Sequence, residues 1–191
     1  MEKAFLLTAL LGTSAISLGT LSTDAMARPM TETDLVMMKR LSAVTASPDG
    51  QMIAYQVRET DLAANKGKTD LYVLRLGTAG VQPVMFASTP DKNEHDPAFS
   101  PDGKYIYFSQ DDTPGKTFHY SKDSEQGIYV IKRFERETGK IEVLLEGAGG
   151  AVRPTPSPDG KKLAYIRRVD FKTTLFVYDL ASGEHTELYS E

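Results

Sequence analysis

Apolar and polar residues alternate three times along the chain, each time directly after the same four residues. Gln51-Met52-Ile53-Ala54-Tyr55-Gln56 follows Ser47-Pro48-Asp49-Gly50, and Lys104-Tyr105-Ile106-Tyr107-Phe108-Ser109 follows Ser100-Pro101-Asp102-Gly103. Lys161-Lys162-Leu163-Ala164-Tyr165-Ile166 follows Ser157-Pro158-Asp159-Gly160. A period of two predicts strands with one face toward a core. The four residues before each strand predict a tight turn. Proline presets φ at its second position, aspartate bonds its own backbone, and glycine accepts φ > 0.

Each turn-and-strand is followed by a second apolar run, over 70–76, 127–133 and 174–180. A Gly-containing hairpin comes next (77–80, 137–140 and 181–184), and then a third run (81–86, 141–145 and 185–189). Short runs at 41–46, 96–99 and 152–155 enter the turns, so every unit offers four strands. The turn serines stand 53 and then 57 residues apart. A period near ~50 residues with four strands per unit predicts propeller blades rather than a helical solenoid. The expected fold is all-β: a partial β-propeller of three four-stranded antiparallel blades over 41–190, at about 41–88, 94–147 and 151–190.

The repeat resembles the Pro-Asp-Gly repeat of TolB-like and prolyl oligopeptidase-type N-terminal propellers, from Leu41 to Tyr189. Residues 31–76, above all the stretch from Arg58 through Asn65-Lys66-Gly67-Lys68 to Leu71, look like the first blade of a prolyl oligopeptidase-family exopeptidase. Residues 113–180, with Thr113-Pro114-Gly115-Lys116-Thr117-Phe118 and Gly149-Gly150-Ala151-Val152-Arg153-Pro154, are similar to a TolB-like propeller fused to a metal-dependent amidohydrolase. Both resemblances imply a hydrolase outside the propeller that carries the catalytic residues.

Ahead of the repeat, Lys3, the apolar stretch to Leu21 and Ala25-Met26-Ala27 predict a signal peptide over 1–27 with a small-x-small cleavage site. That implies a periplasmic or secreted protein with no membrane attachment after cleavage. Residues 28–40 are expected to hold a short lead-in helix, capped by Thr31 or Thr33, with acids in its first turn and bases in its last. Its Met37-Met38 pair suits packing. The 191 residues carry no cysteine, which excludes disulfides, and a net charge of −4, which argues against a nucleic-acid partner.

The longest insertions are Glu59–Thr69, expected as a surface loop or short arm, and Asp111–Gln126, with Asp111, Asp112, Lys116, His119, Tyr120, Lys122 and Asp123. Candidate chemistry is sparse. There is no Gly-x-Ser-x-Gly elbow, and His95, His119 and His185 are the only imidazoles, none with a recognisable partner. Glu94-His95-Asp96 and Asp111-Asp112 cluster acids, but neighbours on a strand point to opposite faces. Asp49, Asp102 and Asp159 read as turn formers. Gly147-Ala148-Gly149-Gly150 joins two blades and precedes no helical pattern, so it is no phosphate loop. Arg153, Arg167, Arg168 and Lys172 read as a solvated strand edge. Tyr55, Tyr72, Tyr105, Tyr107, Phe108, Tyr129, Tyr165, Phe176 and Tyr178 read as packing between blades. The sequence thus proposes no catalytic, cofactor-binding or metal-binding residue.

Propellers carry about four to eight blades, and three leave faces without neighbours. The chain is therefore expected to be a truncated product or a piece that closes a ring by association, with truncation favoured because no cap follows His185–Tyr189. The expected function is a non-catalytic, exported scaffold for interaction or substrate gating. Its partner would be another protein, the missing hydrolase domain or a second copy. The alternative is the N-terminal portion of a periplasmic peptidase or amidohydrolase.

Overall fold

The computed structural model describes residues 28–77, 79–112 and 128–190. The chain divides into two units, Met1–Thr31 and Glu32–Glu191. The predicted signal segment, His119 and most of the 111–126 insertion lie outside the described residues.

The second unit begins with a one-and-a-half-turn helix, α1 (Glu32–Met37), that buries none of its residues. Three antiparallel sheets follow. The first is β1 (Arg40–Ala46), β2 (Met52–Asp61), β3 (Lys66–Arg75) and β4 (Val84–Ala87). The second is β5 (Glu94–Phe99), β6 (Tyr105–Asp111), β7 (Tyr129–Glu135) and β8 (Ile141–Leu145). The third is β9 (Val152–Pro156), β10 (Lys162–Val169), β11 (Lys172–Asp179) and β12 (His185–Ser190). Strands run in chain order across every sheet, which is the meander of a propeller blade. The three four-stranded antiparallel sheets expected from the repeat are there. Of the two expectations for Glu59–Thr69, a surface loop or a short arm, the structure shows the arm: β2 and β3 extend through it in unbroken register from Met52↔Arg75 to Asp61↔Lys66, turning at 62–65. Thr60 and Thr69 supply β-compatible residues there, and the polar composition reflects exposure rather than irregular backbone.

The Ser-Pro-Asp-Gly turn is built identically three times. Ser47 Oγ donates to Asp49 Oδ1 at 2.5 Å and accepts from Met52 N at 2.9 Å, while Asp49 Oδ1 accepts from Gln51 N at 3.0 Å. Ser100 and Ser157 repeat these bonds with Asp102 and Asp159. The glycines sit at φ 66°, 70° and 70°, which L side chains disfavour. In each turn the serine hydroxyl, then the backbone amide two residues on, holds the aspartate below its ordinary range. The depressed folded-state values mean that these bonds contribute stability above the unfolded aspartate pKa and lose it as pH falls. Urea midpoints should therefore drop below about pH 4. The drop should shrink in a triple variant with Asp49, Asp102 and Asp159 changed to Asn; an unchanged acid limb would remove the turns as its source.

Each inner strand also carries a bulge. Pairing slips between Ser42 and Thr45, between His95 and Ala98, and opposite Ala164 to Ile166. Inside each slip one non-glycine residue has positive φ: Ala43 (49°), Asp96 (52°) and Arg153 (57°). All three stand four positions before the turn serine. The bulge turns the inner strand and frees an amide to point away from its own sheet.

Candidate functional site: the blade faces

Blades meet through a repeated junction. The amide of Asp96 in β5 donates to Gln56 Oε1 of the preceding blade at 3.2 Å, and the amide of Arg153 in β9 donates to Ser109 Oγ at 2.9 Å. Gln56 and Ser109 both stand nine residues after their turn serine. Gln56 Nε2 also donates to Ser42 Oγ at 2.9 Å, so its amide is fixed from both sides. Turns nest as well. A Cβ on Gly103 would lie 3.7 Å from Pro48 Cδ, and one on Gly160 would lie 3.8 Å from Pro101 Cδ.

Between these polar contacts lie the cores. Ala54, Phe99 and Ile106 pack at the first junction, with Leu71, Ala87 and Phe108 beside them. Tyr107, Ile131, Leu145, Ala151, Leu163 and Tyr165 pack at the second. The expected inter-blade aromatics Tyr107, Phe108 and Tyr165 are there, while Tyr55 and Tyr72 stack on each other within the first blade at 5.9 Å.

Equivalent positions at the two outer faces lack a neighbour. Six and three residues before the turn serine stand Glu94 and Pro97, then Ala151 and Pro154, all buried. In the first blade the same positions are Leu41 and Val44, exposed by 58% and 55%. On the opposite side, Leu71 pairs with Ala87, and Ile131 with Leu145, all buried. The equivalent pair in the third blade is Leu175 and Tyr189, exposed by 36% and 60%. Helix α1 rests against β2 yet covers neither Leu41 nor Val44.

The expected solvated basic edge needs correction at Arg167. Its guanidinium donates to the carbonyls of Gly150 and Glu146 at 2.9 Å each and lies 5.4 Å from the Tyr165 ring centroid. It ties the 146–150 linker to β10. The linker bends sharply at Gly149 and Gly150, whose φ values are 77° and 67°.

Glu94 is fully buried at the start of β5. Its Oε1 accepts from Thr89 N at 3.0 Å and from Gln110 Nε2 at 2.7 Å, whereas Oε2 finds no partner among the described residues. Gln110 Nε2 also donates to Thr89 Oγ1 at 2.7 Å. The group ties the 88–93 linker to the second blade. Nearby, burial and then the Lys92 charge hold Lys132 below its ordinary range.

At the turn end, a cavity of 430 Å³ is lined by Tyr105, Tyr107, Arg133, Asp102, Asp159 and Leu180. Its arginine is already engaged by Glu142 and lies over the Tyr105 ring at 4.5 Å. Burial raises the Tyr107 phenol. The cleft offers aromatic walls and hydrogen bonds, with no activated nucleophile.

The two described imidazoles do not converge. His95 is half-buried in β5, and His185 is in β12 with Nδ1 2.8 Å from Tyr165 Oη. Burial, then the Arg167 charge, lowers the His185 pKa. Among the described residues, no cluster of three or more His, Cys, Asp and Glu side chains could hold a metal. Asp96 and Arg153, singled out in sequence for their charges, act through their backbone amides instead. The residues four positions before each turn serine are Ala43, Asp96 and Arg153, three different types, so nothing in the sequence marked their shared positive φ.

The fold and these junctions define a partial β-propeller. Its solved structural neighbours are TolB and peptidase propellers. The putative TolB from Agrobacterium tumefaciens aligns with a TM-score of 0.56 at 21% identity, over 76% of this chain and 47% of that one. The acylaminoacyl peptidase of Pyrococcus horikoshii aligns at 0.55 and 18% identity, over 82% of this chain and 26% of that one. The β-propeller domain of the trilobed protease from Pyrococcus furiosus aligns at 0.51 and 23% identity, over 78% and 43%. In sequence, the chain is 25% identical over 150 residues to dipeptidyl-peptidase 5 of Porphyromonas gingivalis, spanning 76% of this chain and 20% of that protein. No protein-family model matches the chain. Among the described residues, no helix is long and apolar enough to cross a membrane.

Proposed function

We propose that this chain is an exported, non-catalytic propeller segment that serves as an interaction or substrate-gating scaffold. The observation that carries this reading is the pair of uncovered faces. Leu41 and Val44 on one side, and Leu175 and Tyr189 on the other, occupy positions that are buried wherever a neighbouring blade is present. Apolar side chains at such positions mark a surface that is covered in use. The side-chain chemistry supports the non-catalytic part, because among the described residues His95 and His185 lie on different blades and neither is bonded to a serine or a carboxylate.

A second reading is favoured by the match to dipeptidyl-peptidase 5, 150 residues that make up a fifth of that protein. Here the chain is the propeller portion of a longer periplasmic hydrolase, and the faces are covered by further blades.

Two measurements test these readings. Purified chain should not turn over dipeptidyl or aminoacyl p-nitroanilide substrates; sustained turnover lost with no removable contaminant would end the scaffold reading. The DNA after the Glu191 codon decides between the two. A reading frame carrying Gly-x-Ser-x-Gly supports the peptidase, and one with His-x-His the amidohydrolase. A stop followed by unrelated sequence supports the scaffold on its own.

A further inference from the structure

We infer that the two uncovered faces fit each other, so that a second copy of this chain seats head to tail on the first and two three-bladed arcs close one six-bladed ring. This rests on the scaffold reading and names its partner. Three observations carry it.

First, each half of the internal junction survives on an outer face. Proline of one turn nests on glycine of the next at Pro48–Gly103 and Pro101–Gly160. The outer faces keep Pro158 on the third blade and Gly50 on the first, and a Cβ on Gly50 would meet nothing within 4 Å.

Second, the bulge that shapes each junction is repeated on the outer face. At both internal junctions the backbone amide of the bulge residue donates to a side chain nine residues after the preceding turn serine, Asp96 to Gln56 and Arg153 to Ser109. Ala43 on the first blade has the same positive-φ bulge, at 49°, and the position that would face it on the third blade is Ile166. Ile166 offers that amide no acceptor, so this junction closes on packing rather than on a hydrogen bond.

Third, the sizes complement. The buried position six before the turn is Ala151 where it meets Tyr107, Ile131 and Leu145. On the first blade it is the larger Leu41, and the face it would meet offers the smaller Ala164 in place of Tyr107, with Leu175 and Tyr189 alongside. A head-to-tail contact either closes or propagates. Two arcs of three blades give six, within the range of closed propellers.

The chain has no cysteine, so a variant carrying both A43C and I166C has two thiols, placed at the clasp of the inferred interface. Mild oxidation of this full-length variant should give a single disulfide-linked dimer on a non-reducing gel. That dimer should not extend at higher protein concentration, and A43C or I166C alone should give none. A ladder of higher species would mean an open chain of copies. Cross-linking by a single variant would mean a face-to-face contact. Either overturns the inference, as does an absence of cross-links in variants that keep a β-rich circular dichroism spectrum. Should the cysteines prevent folding, light scattering on the unmodified chain decides. Twice the 21.0 kDa monomer mass, falling to monomer with L41K or Y189E, supports ring closure. A folded monomer at 100-fold dilution and at high concentration alike overturns it. That monomer would leave the scaffold reading standing, whereas peptide turnover would remove the scaffold reading whatever the mass.

Discussion

Gly149→Ala should destabilise the protein by about 3 kcal/mol or more, the sum of backbone strain and a steric clash. Gly149 sits at φ 77°, and a Cβ there would lie 1.8 Å from the carbonyl oxygen of Arg168. That oxygen belongs to strand β10, whose Arg168 amide donates back to the Gly149 carbonyl at 3.1 Å. The clash is with backbone on a packed strand, so no side-chain rotation relieves it. Either the linker lifts from β10, breaking the Arg167 contacts to Gly150 and Glu146, or the third blade shifts against the second. Gly139→Ala is the control. It has φ 74° and open space within 4 Å, so it should show only the left-handed cost of about 1 kcal/mol. Urea unfolding of both variants measures the difference. Equal midpoints would show that the clash is absorbed and that the linker does not clamp the blade.

Tyr165→Ala should cost about 4 kcal/mol, the loss expected for truncating a buried aromatic. Tyr165 is fully buried in the core between the second and third blades. Its ring stacks on Phe176 at 5.6 Å, lies under Arg167, and holds His185 through its hydroxyl. A domain of this size is stable by only about 5–15 kcal/mol, so the loss is a large share. The third blade should melt first, read as loss of amide exchange protection in β9 to β12 before β1 to β4. Tyr165→Phe keeps the stack and removes only the hydroxyl bond, with a cost near 1 kcal/mol. Partial desolvation, then the Arg167 charge, lowers the His185 imidazole, so its contribution is present above its unfolded pKa and fades as pH falls through the folded value. Tyr165→Phe leaves both causes in place, so that variant should keep the pH dependence below about pH 7. A fully cooperative transition in Tyr165→Ala, with all blades exchanging together, would show that the second junction is not the weak seam.

Much of this architecture was readable because its signals are local. A Ser-Pro-Asp-Gly turn closes its own hydrogen bonds within six residues, from Ser47 to Met52, and needs no distant partner to form. Strand alternation after each turn is equally local. Geometry that depends on contacts far apart in sequence was less legible. The β2–β3 extension through Glu59–Thr69 looks polar because it is exposed, and its pairing comes from the register set at Met52↔Arg75. Arg167 looked solvated because its acceptors are carbonyls, which no side-chain pattern reveals. The clasp between Gln56 and Asp96 spans 40 residues and uses a backbone amide freed by a bulge. The uncovered faces became visible only once the equivalent positions of other blades were seen to be buried.

The bulges in β1, β5 and β9 have a further consequence, for solubility. Each inner strand is the free edge of its sheet, a row of amides and carbonyls that would otherwise template pairing with another chain. Positive φ at Ala43, Asp96 and Arg153 breaks that row near its middle and turns one amide toward the neighbouring blade or its face. An arc whose centre is open would, with straight inner strands, expose three flat edges to any extended polypeptide. Kinked edges present no run long enough for cross-β stacking. The same distortion that clasps one blade to the next thus guards the axis against amyloid-like growth, whether or not the circle is complete.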